Sequence, residues 1–176
     1  MRKEDLLDLN EAVQNPGKKL SFDFSTALNQ EEDLDLVQPV DGQIDAVSTG
    51  NMLLVETGLR TTAVVECARC GAPLEIKLDF TMKDEFEVEG VPSCYASDGY
   101  AKVVTDEPVP LFKNNALIRD NYVRQGLLLN IPVQPLCSFG WDGPCPNADD
   151  EGEGQTSSHG HPAFADLGNL MGEDKS

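Results

Sequence analysis

Apolar and polar residues change their spacing several times along this chain, and each change marks an element. Residues 1–15 place Leu6, Leu7, Leu9 and Val13 at helix-like intervals that stop before Pro16-Gly17. The period then falls to two. "KLSFDFST" puts Leu20, Phe22 and Phe24 on one face and predicts a strand. In "EEDLDL", charges surround Leu34 and Leu36, and the segment reads as the start of an exposed strand. From Val40 to Cys70, strands are punctuated by turn signals at Asp41-Gly42, Gly50-Asn51 and Gly58. After Cys70-Gly71 the alternation is clearest. Leu74, Ile76, Leu78, Phe80 and Met82 face one way; Glu75, Lys77, Asp79, Thr81 and Lys83 face the other. The strands flanking the cysteines should therefore pair as an antiparallel hairpin with residues 67–73 at its tip.

Residues 90–110 keep no sustained period and predict a loop, with a short strand at "YAKVV". "NNALIRDNYVRQGLLLNIP" predicts the main helix. Asn114 or Asn115 would cap it, Leu117, Ile118, Tyr122, Gln125 and Leu129 lie near one stripe, and Pro132 stops it. Gly126 inside it costs about 1 kcal/mol against Ala, and the "GLLLNIP" end reads as core packing. Past Pro146, "NADDEGEGQTSSHGH" is polar, acidic and glycine-rich, which predicts flexibility. Phe164, Leu167, Leu170 and Met171 then have the spacing of a short amphipathic helix that could dock on its own domain or on a partner. The class these elements predict is α+β. One β-rich domain, residues 18–146, carries an antiparallel sheet and one main helix. Residues 1–17 form a peripheral N-terminal segment, and residues 147–176 a flexible acidic tail with a short terminal helix.

Charge narrows the function. The net charge of −18, from 31 acidic against 13 basic residues in 176, creates a field that repels phosphate. It favours basic partners over nucleic acid. Arg2-Lys3 and Lys18-Lys19 are the only adjacent basic pairs, and a solvated surface accounts for them. No apolar run reaches the length of a bilayer span, so no membrane partner is expected. The N-terminus mixes in Glu4, Asp5, Asp8 and Glu11 and lacks an apolar signal core. The expected location is the cytoplasm, where cysteines stay reduced.

The candidate chemistry is sulfur. Cys67-Ala68-Arg69-Cys70-Gly71 has the shape of a metal knuckle. Two intervening residues let both thiolates reach one ion, and the glycine tolerates the positive φ of the turn. Cys137 and Cys145 lie downstream in "PLCSFGWDGPCP", a glycine- and proline-containing gap that can fold back. With Cys67 and Cys70 they could complete a tetrahedral four-cysteine zinc site. Loop closure over the 66 residues between Cys70 and Cys137 is tolerable, because its entropy grows slowly with length. The competing structural reading is four free thiols near one sheet end. His159 and His161 read as solvated tail residues rather than substitute ligands, and Cys94 as a half-buried structural thiol.

A CxxC redox couple usually opens a helix, whose dipole lowers the thiol pKa. Here Pro73 and the alternating run predict a strand, so a redox or metal-dependent enzyme is the alternative rather than the first reading. The chain has no phosphate loop, no GxGxxG and no GxSxG, and both histidines lie in the tail. Nothing in it makes a catalytic unit, and the expectation is a protein that is not an enzyme.

Taken together, these blocks resemble a known family. "VECARCGAPLEIKLDF" looks like the Cys-x-Arg-Cys segment of the YceD family, the large ribosomal RNA subunit accumulation proteins. The blocks "YVRQGLLLNIP", Pro135-Leu136-Cys137, Gly143-Pro144-Cys145-Pro146 and the P-x-x-x-x-L-x-x-L segment from Pro162 to Leu170 are similar in kind and order. Many members carry C-x3-C-x3-C-x2-C in the second block. Cys137 and Cys145 keep its first and third positions, whereas Trp141 and Ala148 stand at the second and fourth. That block can therefore supply at most two ligands here. The resemblance implies a cytoplasmic, bacterial-type protein that supports the synthesis, processing or stability of large-subunit (23S) ribosomal RNA. With the charge, it points to a basic ribosomal protein or ribosome-assembly factor as the partner, and to indirect contact with the RNA.

Overall fold

The computed structural model describes residues 6–28 and 34–137. Nine strands and two helices lie among them: β1 (Leu6–Asp8), α1 (Asn10–Gln14), β2 (Lys19–Thr26), β3 (Asp35–Leu36), β4 (Val40–Ser48), β5 (Met52–Glu66), β6 (Pro73–Gly90), β7 (Ala101–Val104), β8 (Phe112–Lys113), β9 (Ala116–Ile118) and α2 (Arg119–Asn130). The class is α+β and β-rich, with antiparallel sheets and one main helix.

A six-stranded sheet runs β2-β4-β5-β6-β7. Beside β5, β3 continues the edge where β4 ends: Asp41 of β4 is opposite Arg60, and Leu36 of β3 is opposite Ala63. The long β5–β6 hairpin is its spine, in register from Met52↔Glu87 to Glu66↔Pro73. The period-two pattern is the cause. Leu53, Val55, Thr57, Leu59, Thr61 and Ala63 alternate into the interior, while Glu56 and Arg60 stay in solvent. Outward charges sit opposite partners of opposite sign. Arg60 meets Asp79 at 3.1 Å and Lys83 meets Glu56 at 3.2 Å, both across the β5–β6 ladder. Exposed pairs of this kind fix register more than they stabilise.

A second, three-stranded sheet has the order β1-β9-β8. With both helices it covers the inner face of the large sheet. The core there contains Leu9, Val13, Ile44, Leu53, Val55, Leu117 and Tyr122. An adjoining cluster joins Leu59, Ala63 and Leu78 of the hairpin to Val123 and Leu127 of α2.

Of the expected turns, only Gly50-Asn51 lies between strands: Asp41-Gly42 and Gly58 sit inside β4 and β5, whose ladder runs through Gly42↔Leu59 and Gln43↔Gly58. Three further expectations need correction. The N-terminal segment is neither one helix nor peripheral. Leu6 and Leu7 pair with Ile118 and Leu117 as β1, a short helix follows, and Leu9, Ala12 and Val13 are completely buried. Gln14 ties this segment down. Its Nε2 donates to the Ala101 carbonyl at 2.7 Å, and its Oε1 accepts from the backbone N–H groups of Ser93 and Ala101.

Second, Asn114 and Asn115 do not cap the helix. They form a two-residue hairpin turn between β8 and β9, with φ of 50° and 62°. Positive φ at both central residues matches the twist of the strands, and Asn tolerates it better than most side chains. The helix begins later, at Arg119.

Third, the buried stripe of α2 is Tyr122, Val123, Gly126 and Leu127. Gln125 and Leu129 sit at its margin, and the "GLLL" run packs only in part: Leu127 is buried, while Leu128 and Leu129 are 39% and 77% exposed. The segments "YAKVV" and "EEDLDL" do contain the short strands β7 and β3. The expected domain end at residue 146 and the tail 147–176 with its terminal helix lie outside the described residues. No helix among the described residues is long and apolar enough to cross a membrane.

Candidate metal centre

The β5–β6 hairpin carries its two cysteines at the tip. β5 ends at Glu66, β6 starts at Pro73, and residues 67–72 turn between them. The turn closes through two backbone bonds: Cys67 N–H donates to the Ala72 carbonyl at 2.8 Å, and Gly71 N–H to the Cys67 carbonyl at 2.9 Å. Gly71 takes φ of +70°, a left-handed conformation that glycine adopts without strain. The result holds both sulfurs on one side of the tip.

A third cysteine arrives from far along the chain. After α2, the segment through Pro135 and Leu136 passes the tip, and the Ala68 N–H donates to the Pro135 carbonyl at 2.8 Å. This places Cys137 beside the pair. The thiol sulfurs of Cys67, Cys70 and Cys137 all lie within 4.8 Å of one another. Cys67 and Cys137 are buried, and Cys70 is half-buried, with Leu74 and Leu136 packed against them.

The electrostatics of the turn favour a thiolate. Backbone hydrogen bonds, first from Cys70 and then from Arg69 and Cys137, reach the Cys67 sulfur and pull its pKa down to about 6, against the opposing effect of burial. Thiolates are the form that binds a metal.

The chemistry of this donor set fits zinc. A tetrahedral four-sulfur site with zinc–sulfur bonds of about 2.3 Å has sulfurs about 3.8 Å apart. Three thiols already within 4.8 Å need only a small contraction to reach that spacing. They would supply three corners of such a site. Cys145, expected at the fourth, lies outside the described residues, as do His159 and His161. Cys94, expected to be half-buried, is instead exposed and stands apart, its backbone N–H near the Gln14 carbonyl.

Two features of the site have no counterpart in the sequence pattern. The Pro135 carbonyl clamps the tip, and the Cys137 backbone helps to stabilise the Cys67 thiolate. Both depend on a contact between segments more than sixty residues apart, for which the local pattern carries no signal.

A family model described as large ribosomal RNA subunit accumulation protein YceD matches residues 55–171, about two thirds of the chain. The match starts within β5 and takes in the hairpin tip, α2 and Cys137. No curated protein and no solved structure matches the chain.

Proposed function

The chain belongs to the YceD family, the large ribosomal RNA subunit accumulation proteins, and from that premise we propose that it is a non-enzymatic adaptor in ribosome biogenesis. It supports 23S ribosomal RNA in the cytoplasm by holding a basic ribosomal protein or assembly factor. The family match carries the large-subunit role. The choice of a protein partner over direct RNA contact rests on charge.

A net charge of −18 opposes the phosphate neutralisation on which RNA affinity depends. Many of the cations are also already engaged: Lys18, Lys19, Arg60, Lys83 and Arg119 each pair with a carboxylate. A basic protein is drawn to the same field, with steering that weakens as salt rises.

In this reading the cysteines are structural. Cys67, Cys70 and Cys137 hold zinc with Cys145 as the fourth ligand, and the ion locks the hairpin tip to the segment that follows α2. Such an ion binds and cross-links; it supplies no reaction. The CxxC turn leads into a strand rather than a helix, and Cys67 is only 3% exposed, which suits a ligand better than a redox couple.

Depletion of the protein in cells, followed by sucrose-gradient analysis, tests the role. The expected result is loss of large-subunit RNA and particles relative to small-subunit ones. Filter binding of the purified protein to 23S fragments at physiological salt tests the adaptor. Nanomolar affinity for RNA alone would sink it. Metal analysis should return one zinc per chain, and a chelator should expose the thiols and lower the melting temperature.

A further inference from the structure

The exposed end of α2 overlooks a groove. Its inner part is floored by Met82 and Phe86 of β6 and Leu111, and its outer part runs between Val109 and Leu128. Glu107, Gln125 and Leu129 border both parts. Val109, Leu128 and Leu129 are 50%, 39% and 77% exposed. Apolar side chains thus stand uncovered on both walls of one groove, where an apolar partner surface could cover them.

The polar lining is short of donors. Asp84 and Glu107 contribute carboxylates. The Tyr122 hydroxyl already donates its proton to Asp84, at 2.5 Å. Asn130 Nδ2 donates to the Gly126 carbonyl within the helix. The Gln125 Oε1 is buried with no hydrogen-bond partner. Arg124, on the outer wall, is engaged in an interaction of its own. The groove also lies at the C-terminal half of α2, whose last turn carries no basic residue to offset the helix dipole. Carboxylates and an uncompensated helix end beside exposed apolar side chains favour an occupant that brings cations and apolar side chains together.

We propose that this groove docks a basic amphipathic segment of a partner protein, its apolar residues against Leu128, Leu129 and Val109 and a Lys or Arg directed toward Asp84 and Glu107. The assignment rests on the adaptor reading and gives that adaptor its contact surface. The chain's own apolar segment, Phe164 to Met171, is a poorer occupant. Its single charge is Asp166, and Glu173, Asp174 and Lys175 follow, so it would bring more carboxylates than cations to carboxylates.

The test uses the full zinc-loaded chain, labelled for amide NMR. The probe is a synthetic amphipathic helix with Leu at i, i+3, i+4 and i+7 and Lys elsewhere. It should shift amides of residues 107–111 and 125–130, and the variants Leu129→Asp and Glu107→Lys should each weaken it by roughly tenfold or more. Both substituted residues border the groove, and the exposure of Leu129 leaves the fold intact on substitution. Counterparts with Glu for Lys, or with Ser for Leu, should not bind there. Shifts spread over the whole acidic surface, equal affinity for Leu129→Asp, or tight binding of the Ser counterpart would overturn the proposal. So would a peptide of residues 162–176 that displaces the probe from the groove of a chain truncated after residue 161. In cells, equal enrichment of large-subunit precursors by wild type and Leu129→Asp overturns the groove and keeps the adaptor reading. Enrichment by neither overturns the adaptor reading and the assigned partner with it.

Discussion

The Met82 thioether of β6 fills the space that a Cβ on Gly126 of α2 would need: such a carbon would overlap the Met82 sulfur and lie 2.7 Å from its methyl group. A glycine that weakens the isolated helix is therefore what lets the helix settle on the sheet. Replacing it with alanine gains about 1 kcal/mol of helix propensity, while the flexible end of Met82 must swing aside at a cost of about 1 kcal/mol. The two nearly cancel, and Gly126→Ala should change stability by less than about 1 kcal/mol in urea denaturation. In a Met82→Ala background the same change should become stabilising, because the opposing side chain is gone. An effect of equal size in both backgrounds would show that Met82 does not oppose the change.

Asn115 does two jobs that different substitutions separate. Its Oδ1 accepts from the Val103 N–H at 2.9 Å, and its Nδ2 donates to the Ala101 carbonyl at 2.9 Å. Its backbone sits at φ of 62° and receives the Leu9 N–H through its carbonyl. Asn115→Gly removes only the side-chain bonds: the Ala101 carbonyl keeps its bond from Gln14, while the Val103 N–H is left unsatisfied, at a cost of about 1–3 kcal/mol. Asn115→Ala should be worse by about 1 kcal/mol, the left-handed backbone penalty. Chemical denaturation of the two variants measures the difference.

Tyr122 is buried, and its hydroxyl donates to Asp84. Tyr122→Phe should lose about 1–2 kcal/mol near neutral pH. Burial, with Asp84 adding to it, holds the Tyr122 pKa above the usual phenol range. A folded-state pKa raised above the unfolded value gives stability that is full below about pH 10 and is lost as pH climbs further. The wild-type advantage over the Phe variant should accordingly shrink in strong alkali, as read by denaturation at rising pH.

The Cys67 thiol shows the opposite sign. Its pKa, about 6 in the folded chain, lies below the unfolded thiol value of about 8.5. The stabilisation is full above about pH 8.5, falls as pH drops, and is gone once pH passes below about 6. In metal-free protein, the stability difference between wild type and Cys67→Ser should therefore narrow across that window. A difference independent of pH would mean that the backbone donors do not favour the thiolate.

Much of the large sheet was legible in the pattern of residues. The alternation from Leu74 to Met82 predicts the second strand of the hairpin, and the cysteine turn its tip, because a two-residue period is set by local backbone geometry. The first strand was blurred by the turn signal at Gly58, which the ladder carries straight through. The CxxC-Gly turn was legible for the same reason. Other segments were ambiguous. Asn114-Asn115 serves equally as a helix cap or as a tight hairpin turn, and only the pairing of β9 with β1 selects the turn. Leu6 and Leu7 fit a helix stripe until Leu117 and Ile118 offer them a strand edge.

The sequence by itself determined the β-rich class, the long hairpin, the cysteine turn and the acidic charge, since each follows from neighbouring residues or from composition. The tertiary structure decided how distant segments meet. It brought Cys137 to Cys67 and Cys70 through the Ala68–Pro135 backbone bond, buried the N-terminal segment, and turned α2 so that Leu128 and Leu129 face out. Those outcomes depend on the total apolar area and backbone bonding available to the whole chain, and that sum is not carried by any one stretch of it.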